Sequence, residues 1–172
     1  MDTHSYVKLA LEAIHYYLLK GEILPCPFPI PSGMETRLGV FVSIKIKKNG
    51  NLRGCVGTIE PSQENLAKEI IKNAVSAATH DPRFKPIKIE ELEKLLFSVD
   101  ILTPLEQIDS PDKLDPKQYG LFIKGNGKQG TLLPDLKGVD STEKQIDICL
   151  KKATIPENSN YQMYRFEVER YS

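Results

Sequence analysis

Apolar residues recur at intervals of three to four positions in three parts of the chain, which predicts three amphipathic helices. The first helix can be capped by Asp2 or Thr3 and can end at Gly21. The second is expected over residues 61–80, and the third starts near Asp140. Their apolar faces comprise Val7, Leu11, Ile14 and Leu18; Leu66, Ile70, Ala74 and Ala77; and Ile146, Cys149 or Leu150, and Ala153.

Alternation of apolar residues with other residues predicts β-strands between these helices. Residues 40–46 form one such strand, and residues 52–59 form its return strand. The two are joined by Asn49-Gly50, a strong signal for a two-residue hairpin, because both positions tolerate positive φ. A short helical turn over residues 89–94 and a strand over residues 95–103 follow.

The second half of the chain repeats the order hairpin, helix, strand. Its hairpin is centred on Gly125-Asn126-Gly127, with strands over residues 120–124 and 130–133. Its helix is the third one, and residues 161–171 form its last strand. We interpret this order as an internal duplication of structure, although the two halves have no visible sequence similarity.

These elements predict an α+β fold in which antiparallel sheet carries helices on one side. The length of the chain fits a single domain over residues 1–172. We expect two lobes, covering about residues 1–110 and 111–172, that share one core.

Residues 25–31 carry a proline at every second position, in the order Pro-Cys-Pro-Phe-Pro-Ile-Pro. Because proline lacks an amide donor, the pattern predicts an extended connector lying over the domain rather than a strand in a sheet. Such a segment can also be a ligand for a proline-binding domain. Packing against its own domain is the more common arrangement.

The overall charge and composition exclude several classes of function. Lysine plus arginine and aspartate plus glutamate both total 23, so the net charge is zero and gives no general attraction to nucleic acid or anionic lipid. No apolar stretch approaches the ~20 residues of a spanning helix, and the N-terminus lacks a signal-peptide pattern. We therefore expect a cytoplasmic protein that acts on neither nucleic acid nor membranes.

The cysteines and histidines are too few and too scattered to predict a metal site. Cys26, Cys55 and Cys149 include no CxxC pair, which indicates reduced thiols. His4, His15 and His80 show no zinc-ligand spacing. We expect no metal and no cofactor.

Three stretches carry a resemblance to a known family. Residues 52–57 are similar to the motif LRGCIG, and residues 77–84 to an alanine-rich helix followed by DPRF. Residues 120–123 and 130–134 resemble a glycine-rich hairpin that ends in LLP. In this order, and over residues 4–171, the chain resembles the AMMECR family.

The resemblance implies a mixed α+β fold and brings no established reaction with it. Microbial members are often named as the A component of the AmmeMemoRadiSam system. That name implies two partners, a Memo-like protein, related in fold to ring-opening dioxygenases, and a radical S-adenosylmethionine enzyme.

Cys55 is the first candidate for catalysis, because it is a soft nucleophile in the LRGC stretch. With a two-residue loop, Cys55 pairs with Ile44 and faces the apolar side of the sheet, where a thiol is inert. Gly54 and Gly57 can instead introduce a bulge that turns the thiol elsewhere. The two glycines also allow close approach of a ligand to the backbone.

Four further polar residues are candidates for the same site. Arg53 can present its planar fork to a carboxylate or phosphate, or can form an ion pair with Asp81 or a glutamate. His80 can serve as the base for Cys55. Arg83 can line a binding groove together with Arg53, or can lock the loop that follows the second helix.

Two hypotheses of different kinds follow, with nucleic-acid binding a distant third. In the first, the chain is a binding or adaptor module that holds a partner protein or a small substrate in a groove bordered by Arg53 and Arg83. In the second, it is an enzyme with Cys55 as nucleophile or redox thiol and His80 assisting. Thiol labelling of the native protein separates them.

Overall fold

The computed structural model describes residues 4–172, which divide into two compact units. The first unit runs through Ile101 and includes the C-terminal Glu169–Ser172, and the second is Leu102–Val168. Two four-stranded sheets are present, and the α+β class with antiparallel sheets is confirmed. Whether the units form one domain with a shared core, as expected from the sequence, stays a prediction.

The helices are α1 (Ser5–Lys20), α2 (Leu66–Thr79) and α3 (Thr142–Ala153). The strands are β1 (Val40–Ile46), β2 (Leu52–Thr58), β3 (Leu95–Leu102), β4 (Glu106–Ile108), β5 (Gly120–Gly125), β6 (Lys128–Leu132), β7 (Gln162–Phe166) and β8 (Val168–Tyr171). Two 3₁₀ turns cover Ile89–Lys94 and Pro111–Lys113. None of the helices in the described range 4–172 is long and apolar enough to cross a membrane.

The two sheets share the arrangement of three of their four strands. The first has the order β2-β1-β3-β8 and the second the order β6-β5-β7-β4. In both, a hairpin is followed by a helix that packs on the hairpin, and the next strand pairs with the first hairpin strand. This shared arrangement supports the predicted repeat of structure, and duplication as its origin stays a hypothesis.

A close approach of backbone to backbone fixes the helix on the hairpin in each unit. A Cβ on Gly54 of β2 would lie 2.1 Å from the carbonyl oxygen of Ala77 in α2. A Cβ on Gly130 of β6 would lie 2.4 Å from the carbonyl oxygen of Cys149 in α3. Both glycines are therefore required by helix packing, since any side chain would push the helix away.

Three predicted boundaries are wrong, and in the two helices a nearby side chain explains the difference. Helix α2 starts after Asn65 and not at Pro61, because Glu69 accepts the backbone N–H groups of Ser62 and Gln63 and holds this stretch as a loop. The cap of α3 is Ser141 rather than Asp140 with Glu143, and its hydroxyl accepts from the N–H of Lys144. The predicted last strand is two strands, β7 and β8, in different sheets.

The predicted caps of α1, Asp2 and Thr3, lie outside the described residues. The described helix begins after His4, whose Nδ1 accepts from the N–H of Tyr6 at 3.3 Å. Gly21 ends the helix with a φ of 71°, as predicted.

The register of the first hairpin differs from the predicted one. The loop contains residues 47–50, because the N–H of Ile46 donates to the carbonyl of Asn51. Lys45 then lies opposite Leu52, but Ile44 lies opposite Gly54, so Arg53 is an unpaired bulge residue. A bulge was one of the two alternatives that the glycines left open, and it moves every later residue of β2 by one position.

Candidate functional site

Cys55 lies on the face of the first sheet that points away from α2. It is opposite Ser43 and not Ile44, because the bulge at Arg53 shifts the register. Its neighbour Gly54 faces α2, and successive strand residues alternate between the two faces. The thiol is half-buried, and the hydroxyl of Ser43 donates to Sγ at 3.3 Å. The prediction that Cys55 packs beside Ile44 is therefore wrong.

Arg53 forms a two-pronged ion pair with Glu91 of the first 3₁₀ turn. Its Nε lies 3.0 Å from Oε2 of Glu91, and its Nη2 lies 3.1 Å from Oε1. Its Nη1 donates to the carbonyl of Lys85 at 2.8 Å. Burial opposes ionisation of Glu91, yet the hydrogen bonds from Arg53 keep the pKa of this carboxyl below its usual value. The predicted ion pair of Arg53 with a glutamate is confirmed, and its guanidinium is occupied within the protein.

Asp81 is buried and binds the backbone of the LRGC strand. Its Oδ2 accepts from the N–H of Cys55 at 2.9 Å and from Nη2 of Arg83 at 2.7 Å. Its Oδ1 accepts from Nε and from the backbone N–H of Arg83, at 2.9 and 3.1 Å. The hydrogen bonds from the Arg83 side chain outweigh the effect of burial, and with the N–H groups of Cys55 and Arg83 they lower the pKa of Asp81 to about 2.

Arg83 also binds the backbone of Cys55. Its Nη2 donates to the carbonyl oxygen of Cys55 at 3.1 Å, and its guanidinium lies 5.5 Å from the centre of the Phe84 ring. Asp81 and Arg83 thus bind both backbone polar groups of Cys55 at the outer edge of β2. We call these two side chains the Asp81–Arg83 clamp. The clamp joins the DPRF stretch to the LRGC stretch.

An analogous contact with one cation occurs in the second unit. Thr131 follows Gly130 on β6 as Cys55 follows Gly54 on β2. The carbonyl oxygen of Thr131 accepts from Nζ of Lys152 at 2.8 Å. The first unit therefore differs in two features. The carboxylate of Asp81 binds the N–H of the strand residue, and that residue, Cys55, carries a thiol.

His80 caps the C-terminal end of α2 and is exposed. Its N–H donates to the carbonyl of Ser76 at 2.8 Å, and its Nδ1 lies 2.7 Å from the hydroxyl of Thr79. Within residues 4–172, no hydrogen bond joins this imidazole to the thiol of Cys55. The action of His80 as a base for Cys55 stays a prediction.

Gly57 has a packing role on the same face as Cys55. A Cβ at Gly57 would lie 2.2 Å from the ring of Phe41, which covers the strand at this point. Gly54 and Gly57 therefore serve opposite faces of β2. A direct role of either glycine in ligand binding stays a prediction.

Sequence reasoning identified Cys55, Arg53, Asp81 and Arg83, but it missed Glu91 as the partner of Arg53 and Ser43 as the partner of Cys55. No motif marks either partner, since a glutamate in a charged turn and a serine in a strand are ordinary surface residues.

The described residues contain no group of three or more histidine, cysteine, aspartate or glutamate side chains that could hold a metal ion. The expected absence of a metal and a cofactor stays a prediction.

The thiols of Cys55 on β2 and Cys149 on α3 differ in accessibility, and alkylation should separate them. Cys149 is fully buried, its Sγ lies 3.6 Å from the carbonyl of Leu121, and burial raises its pKa to about 12. We expect iodoacetamide to modify Cys55 in the native protein well before Cys149, because the thiolate is the reactive form. Peptide mass mapping over time measures both rates, and Cys26, which is half-buried, is an internal comparison. Modification of Cys149 as fast as Cys55 would contradict this placement.

This is an α+β chain in which the DPRF loop binds the LRGC strand through Asp81 and Arg83. Comparison with known proteins identifies the family that these features indicate. The sequence model of the family described as AMMECR1 matches residues 7–171. This chain belongs to the AMMECR1 family.

Relatives are found in bacteria and archaea. A Thermotoga maritima protein is 44% identical over 98% of this chain and 97% of its own length. The protein CA_C1420 of Clostridium acetobutylicum is also 44% identical, over 99% of this chain, but the chain spans only 36% of that longer protein. The crystal structure of the uncharacterized protein PH0010 from Pyrococcus horikoshii is similar, with a TM-score of 0.88, 31% identity, and coverage of 96% of this chain and 88% of that one.

Proposed function

We propose that this chain is a cytoplasmic binding module whose Cys55 and Arg83 side chains contact a partner. This proposal rests on one observation, which is that the polar side chains of the LRGC and DPRF stretches are bonded to other groups of the protein. Arg53 is bound to Glu91, and Asp81 to Arg83 and the backbone of Cys55. Such an arrangement fixes the shape of a surface and leaves no base hydrogen-bonded to the thiol among the described residues, which favours recognition over catalysis.

Arg83 is the group of the clamp that is best placed to reach a partner. Its side chain is 56% exposed, whereas that of Asp81 is 3% exposed. The bonds from Nε and Nη2 fix the plane of the guanidinium, so a partner carboxylate or backbone carbonyl would meet a preorganised donor. Arg53 is only 15% exposed and supports the loop behind this surface.

The partners that the family resemblance implies are a Memo-like protein and a radical S-adenosylmethionine protein, as in the AmmeMemoRadiSam system. The length of the Clostridium relative is compatible with this proposal, because there the matching region is part of a longer chain. In the Thermotoga relative, by contrast, the matching region makes up 97% of the protein. The neutral net charge of this chain gives no support to nucleic acid as the partner.

Binding of the Memo-like protein and of the radical S-adenosylmethionine protein from the same organism tests the proposal. We expect isothermal titration to detect a complex of wild-type protein with at least one of them. Arg83→Ala should weaken that complex about tenfold or more, which is the effect of losing one well-placed interaction at an interface.

Arg170 provides a matched control. Its side chain is also 56% exposed, and it also binds a buried carboxylate, that of Asp100, at 2.7 Å. Arg170→Ala should therefore have a similar effect on the melting temperature but leave the affinity for the partner unchanged. Equal losses of affinity in the two variants, or no complex of wild-type protein with either partner, would contradict the proposal.

A second candidate function is a cysteine-dependent enzyme, and one observation favours it. Cys55 lies outside the apolar core and is half-buried beside the Ser43 hydroxyl, so a reagent can reach it. In this alternative, Cys55 is the nucleophile or redox thiol and His80 assists after a movement of its side chain. Rapid alkylation of Cys55 that slows in His80→Ala would support the enzyme, whereas a rate independent of His80 would favour the binding module.

A further inference from the structure

A group of exposed apolar side chains lies in the first unit between the end of α1 and the proline connector. Leu19 is 57% exposed, Ile23 is 56% exposed and Phe28 is 97% exposed. Of the large apolar side chains that are exposed within residues 4–172, only Leu11, Leu96 and Leu136 lie elsewhere. Single exposed apolar residues are ordinary, but a group of them in one short segment marks an interaction surface.

Phe28 is held in its exposed position from both sides. Cys26 and Ile30 pack against the hydrophobic core, so the segment is attached immediately before and after the phenylalanine. The alternating prolines restrict the backbone between these two attachment points. Fixing Phe28 in a complex therefore costs little backbone entropy, which makes it suitable as a binding anchor.

A pocket with a largely apolar wall lies close to this anchor along the chain. Its volume is about 360 Å³, and it is lined by Ile23, Leu24, Cys26 and Ile71 together with Lys68 and Lys72. Cys26 is thus part of the pocket wall and is only two positions from Phe28. The backbone of Phe28 is consequently no more than about 7 Å from that of Cys26 in the pocket wall.

We propose that this surface is the interface of a two-fold symmetric dimer in which Phe28 of each copy enters the pocket of the other. A two-fold axis pairs a surface with the same surface of the second copy. Phe28 of each copy then occupies the pocket of the other, and the two contacts form together. This interface is independent of the partner surface at Cys55 and Arg83.

The charges around the pocket favour a second copy of the chain as the occupant. Lys68 and Lys72 border the pocket, where Lys68 is already paired with the exposed Glu64. The exposed Glu22 directly precedes Ile23 of the pocket wall. The ammonium of Lys72 binds the hydroxyl of Ser62 at 2.8 Å, so it keeps its charge for a carboxylate. A two-fold rotation can bring a lysine at the border of one copy next to a glutamate at the border of the other. The zero net charge of the chain adds no repulsion between the copies.

Sedimentation velocity over a range of protein concentrations tests the dimer. We expect a reversible monomer–dimer equilibrium for the wild type and a dissociation constant at least about 100-fold higher for Phe28→Ala, as for a central aromatic anchor. Ile23→Ser, in the pocket wall, should weaken the dimer in the same direction. Leu136→Ala is the control, because Leu136 is an exposed apolar residue of the second unit.

A photo-crosslink identifies the contact itself. With p-benzoyl-phenylalanine in place of Phe28, irradiation of a mixture of isotopically light and heavy chains should join the two copies at residues 23–26 or 68–72. A monomer at all concentrations, a dimer that Phe28→Ala leaves unchanged, or crosslinks between copies at other positions would each overturn the proposal. A crosslink only within one chain would do so as well, since it would place Phe28 in its own pocket.

Discussion

Gly54→Ala is expected to lower the free energy of unfolding by about 3 kcal/mol or more, which is the upper range for overpacking in a core. The added Cβ would lie 2.1 Å from the carbonyl oxygen of Ala77. A backbone carbonyl in a helix cannot rotate away as a flexible side chain can, so α2 must move off β2. Because α2 contributes much of the buried core of the first unit, the cost extends beyond the single contact.

Gly50→Ala is the matched control for this change. The same methyl group is added, but no atom lies within 4 Å of the new Cβ. Gly50 has a φ of 70°, so the expected loss is the strain of a left-handed alanine, roughly 1 kcal/mol. Urea unfolding of both variants measures the difference, and equal losses would show that α2 does not require a glycine at position 54.

Asp81→Asn should cost about 2 kcal/mol of stability at neutral pH, because it removes a buried carboxylate that accepts four charge-assisted or backbone hydrogen bonds. The hydrogen bonds from Arg83 lower the pKa of Asp81 to about 2 in the folded protein, below the usual value of 3.8 for an aspartate. A lowered folded-state pKa stabilises the protein above the unfolded-state pKa and loses that effect as the pH falls towards 2. The stability difference between wild type and variant should therefore be full above about pH 5 and shrink steadily below it.

Asp109→Asn is the control for the acid range. Asp109 also pairs with a cation, Lys113 at 2.8 Å, but its side chain is 81% exposed. Exposed ion pairs of this kind contribute little, so the variant should unfold like the wild type at every pH. A difference for Asp81→Asn that stays constant between pH 7 and pH 3 would mean that the ionised clamp does not stabilise the fold.

The sequence alone was sufficient for the order of the three helices and the two hairpins, but it missed β4, the division of the last strand into β7 and β8, and the register of β2. The alternation in β1 and the turn signal at Asn49-Gly50 located the first hairpin correctly. The four-residue loop and the bulge at Arg53 depend on long-range contacts, including the pairing of Arg53 with Glu91, and leave no local pattern. A one-residue shift was enough to move Cys55 from the predicted core side of the sheet to the other face.

The candidate site was predictable where its residues are close in sequence. Asp81 and Arg83 form their ion pair within one loop, so a turn containing both charges already indicates a local structure. The bond from Asp81 to the N–H of Cys55 joins two separate motifs, and only the folded chain shows which strand residue receives it. The half-buried position of the Cys55 thiol follows from the bulge at Arg53, which the separate motifs do not show either.

The clamp also determines how this protein can associate with other molecules. The strand β2 is at the edge of its sheet, and the edge of a sheet is a template for pairing with a strand from another chain. The backbone polar groups of Cys55 are already bound by Asp81 and Arg83, and Lys152 binds the carbonyl of Thr131 on the edge strand β6 in the same manner. Both sheets are thus protected at one edge against the intermolecular strand pairing that leads to aggregation, and contacts with partners are left to side chains.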